Sequence, residues 1–167
     1  MSNEQEALDE FWMQRALELA TLAEQQGEVP IGAIVVKDDQ IIGEGYNAPI
    51  SLNDPSGHAE IRAIRQAANA LGNYRLLNCS LYVTIEPCLM CVGALVHARI
   101  KELVYGAPEP KTGAVSSAFA VLNAPSHNHQ IQVRNGILAE ECAARLQDFF
   151  QQRRRTVNKS LPPGTVN

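Results

Sequence analysis

The chain has 167 residues, 46% of them hydrophobic and 19% charged, with a formal net charge of −4. That length supports one domain with a real core, and no apolar run approaches what is needed to span a bilayer. The acidic balance argues against a partner held by bulk electrostatics alone, and the start, Met1-Ser2-Asn3-Glu4, lacks the basic-then-apolar plan of a signal peptide, so the expectation is a cytoplasmic protein.

Taken in chain order, residues 7–26 read as an amphipathic helix, because Leu8, Phe11, Trp12, Ala16, Leu17, Ala20 and Ala23 recur at helical spacing. Gly27 supplies a stop. Residues 29–36 form a β-branched run, and 41–46 read as its hairpin partner across the polar break 37–40. Residues 47–57, rich in Asn, Pro, Ser and Asp, are loop. A helix is predicted over 58–71, a central strand over 81–85 with apolar residues on both faces, a helix over 88–98 and a strand over 102–106. Residues 107–130 are irregular, with a short helix expected around 117–122. A last strand is expected at 131–134 and a closing helix from 138 to about 154. Helices between strands imply parallel neighbours covered on both faces. The reading is therefore a three-layer α/β/α sandwich around a central mixed five-stranded sheet, in one domain (1–155) followed by a flexible C-terminal tail (156–167). Arg153, Arg154, Arg155 and Lys159 near that end are either a helix end whose cations complement the dipole or a local patch for a polyanion.

Two short segments carry chemistry: His58-Ala59-Glu60 and Pro87-Cys88-Leu89-Met90-Cys91. In a reducing compartment a C-x-x-C is a metal or redox motif sooner than a disulfide. Cys88 and Cys91, at i and i+3, share a helix face. Pro87 stands just ahead of the helix, where it is best tolerated, and the helix start favours thiolates. His58 adds a nitrogen. His58 and Glu60, at i and i+2, converge only if they lie in a first turn. Zinc takes four protein ligands at a closed structural site but three plus water at a catalytic one, so His58, Cys88 and Cys91 point to an open site, with Glu60 placed to move the protons of a water. The competing reading is a closed site completed by His97, Cys79 or Cys142. No second chelating pair lies nearby, and the one H-x-H, His127-Asn128-His129, falls in a distant loop. Cys79 and Cys142 otherwise read as core residues.

H-A-E followed by P-C-x-x-C resembles the signature of the cytidine and nucleobase deaminase superfamily. The likeness extends through residues 29–33, 43–47, 73–76, 81–88, 104–107, 111–114, 128–129, 136–138 and 148–150. Over roughly 11–155 the chain resembles the bacterial tRNA-specific adenosine deaminases. That resemblance implies a cytidine-deaminase-like fold and hydrolysis of adenosine to inosine at the wobble position of a tRNA anticodon. It implies one Zn2+ per subunit on His58, Cys88 and Cys91, with Glu60 as proton shuttle. Asn47 matches the asparagine that binds the base, a task suited to an amide that both donates and accepts. Pro30, Glu109, Lys111, Asn128 and Phe149 fall where the family contacts the anticodon nucleotides. The partner implied is a tRNA anticodon stem-loop. A homodimer is implied too, for which Val92, Ala94, Leu95 and Val96 would suit a helix shared between core and interface; membrane association is not expected. The chain departs from the family at Gly57, expected to loosen the turn before His58, at Glu109 between Pro108 and Pro110, where an aspartate is usual, and in a short basic tail. The rivals are a zinc deaminase of a free base or nucleoside (guanine or cytosine) and a zinc-stabilised RNA-binding module, which would not need Glu60.

Overall fold

The computed structural model describes residues 2–160. Helix α1 (Asn3–Gln25) begins four residues ahead of the expected start, because the Ser2 hydroxyl accepts from the Gln5 amide at 3.2 Å and Glu4 and Glu6 suit the positive end of the dipole. Strands β1 (Gly32–Lys37) and β2 (Gln40–Tyr46) form the expected hairpin. Its two-residue turn, Asp38-Asp39, holds φ of 51° and 57°, the left-handed geometry that matches strand twist. A short helix, α2 (Pro49–Leu52), lies in the segment expected to be loop. Then follow α3 (Ala59–Leu71), β3 (Ser80–Ile85), α4 (Leu89–His97), β4 (Glu102–Ala107), β5 (Gln132–Asn135) and α5 (Ala139–Ser160).

The sheet order is β2-β1-β3-β4-β5. β1 is antiparallel to β2 and β3, while β3, β4 and β5 are parallel, so the sheet is mixed as expected. Alternation along the strands divides the core into two layers. Ile34, Tyr82 and Val104 pack with Trp12, Met13 and Leu17 of α1 and Cys142 of α5. Val35, Val83, Leu103 and Tyr105 pack with Ala63 of α3 and Leu95 of α4. Cys79 is buried as well, and neither Cys79 nor Cys142 lies within reach of the His58, Cys88 and Cys91 side chains to complete a metal site.

The seating of α3 on the sheet positions the site. A Cβ at Gly43 would lie 2.8 Å from the Ala67 amide nitrogen, and one at Gly45 would lie 2.7 Å from that of Ala63. Glycine on the strand and the stripe Ala59, Ala63, Ala67 on the helix therefore set how closely backbone meets backbone, and with it where the first turn of α3 stands.

Two expectations are corrected and a third is met in its core half. The short helix at 117–122 does not form. The amides of Val115, Ser116 and Ser117 donate to the Glu86 carboxylate, and those of Ala118, Phe119 and Val121 to the carbonyls of Gly113, Gly113 and Ala114, which leaves turns. Helix α5 runs to Ser160 because no glycine or proline interrupts 139–160, so residues 156–160 of the expected tail are helical; residues 161–167 lie outside the described part. On α4, Val92, Leu95 and Val96 are buried in the chain's own core, and the large apolar side chains left exposed are Leu89 and Met90.

Candidate active site

Three backbone events bring the donor set together. His58 is the extended residue that caps α3, which places Glu60 in the first turn, the arrangement the i, i+2 spacing required. Cys88 does the same for α4, so that Cys91 comes round one turn later. β3 delivers Glu86-Pro87-Cys88 at its carboxyl end, the edge of a parallel sheet where open α/β folds bind ligands. The turn before His58 is tied rather than loosened. Gly57 donates to the Asp54 carbonyl (3.0 Å) and accepts from the Ala48 amide (2.9 Å), and a Cβ there would meet Asp54 and Pro49 at 3.1–3.3 Å.

His58 Nδ1 lies 3.6 Å from Sγ of both Cys88 and Cys91, and the three donor atoms all fall within 4.8 Å of one another. No other His, Cys, Asp or Glu of the described residues joins the group. One nitrogen and two sulfurs with no fourth protein ligand fit a zinc ion at an open site, and Nδ1 is the ring nitrogen turned toward that position. A hydrogen bond from Cys91, followed by the approach of His58, holds Cys88 down at about 4 against an ordinary 9.0. Cys91 is pushed up as the proton donor of the pair, and His58 is raised by its bond to Cys88. Burial drives the Glu60 carboxyl up, and the nearby Cys88 charge adds to it. A raised carboxylate beside a metal position suits a group that must both take and return a proton.

These residues open on a cavity of about 80 Å³ lined by Ile31, Asn47, His58, Glu60, Ile85, Glu86, Cys88, Glu109 and Thr112. Asn47 is buried, and its Oδ1 accepts from the Ala59 amide at 3.0 Å, which helps satisfy the start of α3 and leaves the amide NH2 as the free donor. A groove of about 540 Å³ shares Ile85, Glu109 and Thr112 with the cavity and continues past Lys111, Leu146, Phe150 and Arg154. Asn47, Glu60, Glu109 and the metal donors thus meet at one place, with Lys111 on the adjoining groove. Pro30 is buried directly before the lining residue Ile31. Phe149 is also buried, with the Arg153 guanidinium 5.2 Å from its ring centre, and it is Phe150 that lines the groove. Asn128 lines a different cavity, of about 250 Å³, with His97, Arg99 and His127.

Sequence reasoning passed over Ile31, Thr112 and above all Glu86. The available signal for Glu86 was its position: a carboxylate that closes an apolar strand and immediately precedes the first cysteine.

A family model for MafB19-like deaminases matches residues 8–154. A tRNA-specific adenosine deaminase of Haemophilus influenzae is 52% identical over 156 residues, covering 92% of this chain and 90% of that protein. Among solved structures, one from a study of A-to-I editing by tRNA:A34 deaminases at the wobble position superposes with a TM-score of 0.79 at 44% identity, covering 81% of this chain and 99% of the other. A guanine deaminase of Nitrosomonas europaea superposes with a TM-score of 0.72 at 25% identity, covering 84% and 83%.

Proposed function

The chain belongs to the tRNA-specific adenosine deaminases, and from that premise we propose that it converts the wobble adenosine of a tRNA anticodon to inosine at the cavity between α3 and α4. The observation that carries this reading is the convergence of Glu60 with a three-donor set, His58, Cys88 and Cys91, on one small cavity.

One zinc ion per subunit would be held by His58, Cys88 and Cys91, and when bound it lowers the pKa of a water to about 7. Glu60 accepts a proton from the water that adds to C6 of adenine and returns it to the amine that departs as ammonia. Asn47 offers its NH2 to a base acceptor while its carbonyl is engaged by Ala59, so α3 and the base-binding group move as one unit.

The adjoining groove supports an RNA substrate over a free base. It combines two cations, Lys111 and Arg154, with an exposed aromatic ring, Phe150, the pairing of phosphate and stacking contacts used on single-stranded nucleic acid. Glu109 is the acidic member of that wall, and Pro30, Asn128 and Phe149 remain the further positions suggested for anticodon contacts. We assign a homodimer through the exposed Leu89 and Met90 of α4 and a cytoplasmic location. No helix of the described residues is long and apolar enough to cross a membrane.

The test is ammonia release by the zinc-loaded protein from four substrates: an anticodon stem-loop with wobble adenosine, free adenosine, guanine and cytidine. The stem-loop alone should react at a useful rate. Turnover of guanine or cytidine without the stem-loop would overturn the tRNA reading. Light scattering at micromolar concentration should give twice the 18.2 kDa chain mass.

A further inference from the structure

Glu86 closes β3 one residue before Pro87 and is 4% exposed. It takes no part in the donor set, yet it lines the catalytic cavity. Its carboxylate is surrounded by donors from a single loop. Oε1 accepts from the Glu109 amide at 3.1 Å and from the Ser117 hydroxyl. Oε2 accepts from the amides of Val115, Ser116 and Ser117 at 3.1, 3.0 and 3.1 Å. A carboxylate has about four lone-pair sites, so five donors saturate it. A Cβ at Gly113 would lie 2.6 Å from Oε1, so the loop also closes on this carboxylate at a point where only glycine fits.

The segment from Glu109 to Ser117 has no strand or helix of its own. It carries Glu109 and Thr112, which line the cavity, and Lys111, which lines the groove. Within it Glu109 is fixed further, its Oε1 accepting from the Lys111 amide at 3.0 Å. Without Glu86 the amides of Val115, Ser116 and Ser117 would lose their protein acceptor, and the loop would be left with the Ala114 amide's bond to the Pro87 carbonyl at 2.8 Å and the packing of Ala114 and Val115 on the core.

We propose that Glu86 is the positioning residue for substrate binding: its carboxylate gathers the 109–117 loop onto the end of β3 and so sets the wall of the cavity against which the nucleotide is held. It acts through the loop and not on the reacting atoms. The proposal deepens the reading of the chain as a tRNA deaminase and rests on it for the substrate used.

The test compares wild type with Glu86→Gln, both zinc-loaded, by amide hydrogen exchange and by kinetics on the anticodon stem-loop. Glutamine keeps the size but replaces one acceptor oxygen with an NH2 that faces donors. Exchange at Val115, Ser116 and Ser117 should speed up by about tenfold or more, while zinc content stays at that of wild type. KM for the stem-loop should rise about tenfold with kcat changed by less than about threefold. Ser117→Ala, which removes only the hydroxyl donor, should move both readouts the same way by a smaller factor, and it serves if Glu86→Gln does not fold. Unchanged exchange in the variants overturns the anchor whatever the substrate proves to be. Faster exchange with an unchanged KM, or a fall in kcat alone, overturns the link from anchor to binding. Failure of the wild type on the stem-loop would instead strike the assigned function, and the exchange result would still judge the anchor.

Discussion

One wall of the catalytic cavity is made of helix starts and the other of loop. His58, Glu60, Cys88 and Cys91 all sit at the caps or first turns of α3 and α4, whose backbone bonds and core packing fix them. Glu109, Lys111 and Thr112 sit on a segment with no helix or strand, gathered by one carboxylate, Glu86, and by the buried Ala114. The first wall holds the groups proposed to carry out hydrolysis, where small displacements cost orders of magnitude. The second meets the substrate, whose shape varies more and whose binding can be tuned by side chains on a frame of hydrogen bonds.

The difference can be tested by breaking each wall separately. The largest effect is expected at the donor set. Cys91→Ala removes one of three donors and should abolish stoichiometric zinc binding, lowering activity by about a thousandfold or more; metal analysis beside the activity assay checks this. Next comes the seat of α3. Gly45→Ala drives a methyl group into the Ala59–Ala63 turn, and overpacking of this kind costs about 1–3 kcal/mol, measurable by denaturant unfolding. Because His58 and Glu60 ride on that turn, kcat should fall with stability, whereas changes at the exposed Lys111 and Thr112 of the loop should leave unfolding nearly untouched.

Asn47→Ala is expected to be milder in stability, about 1 kcal/mol for the lost bond to the Ala59 amide, but to raise KM for the stem-loop as well, which marks it as a residue shared by both walls. Smallest is the acid response at Glu28, a buried carboxylate that accepts from the amides of Ile50 and Ser51 and from the Ser51 hydroxyl. Burial alone would raise its pKa, but those bonds outweigh it and hold the group below its ordinary 4.5. A depressed folded pKa contributes stability above the unfolded value and loses it as pH falls through the folded one. Thermal unfolding should therefore show Glu28→Gln less stable than wild type near neutrality, with the gap closing as pH drops below about 4.

The same contrast explains what the sequence made legible. Within each segment His58 with Glu60, and Cys88 with Cys91, could be read because i to i+2 and i to i+3 spacings convert directly into geometry at a helix start; His58 and the cysteines, 30 and 33 residues apart, were joined by the ligand chemistry of their residue types. The mixed sheet, parallel where helices separate the strands, followed from the alternation of strands and helices for the same reason. Glu86 could not be read, since its partners lie 23 to 31 residues away and are mostly backbone amides, which have no residue type to betray them. The helix expected at 117–122 gives way for a similar reason, since the amides of Ala118, Phe119 and Val121 find carbonyls at Gly113 and Ala114, five to seven residues back. Which of Phe149 and Phe150 lines the groove was likewise out of reach, because two adjacent phenylalanines near the edge of a helix face differ only by 100° of rotation, and only the packing of α5 decides which one is buried.

The most direct measurement is sequencing of an anticodon stem-loop bearing wobble adenosine after incubation with wild type and with Glu60→Gln, zinc content being determined for both. Inosine reads as guanosine after reverse transcription. Conversion at that one adenosine by the wild type, lost by a factor of about a thousand in a Glu60→Gln protein that retains its zinc, is the result predicted. Conversion by zinc-loaded Glu60→Gln at a rate near that of wild type would contradict the account.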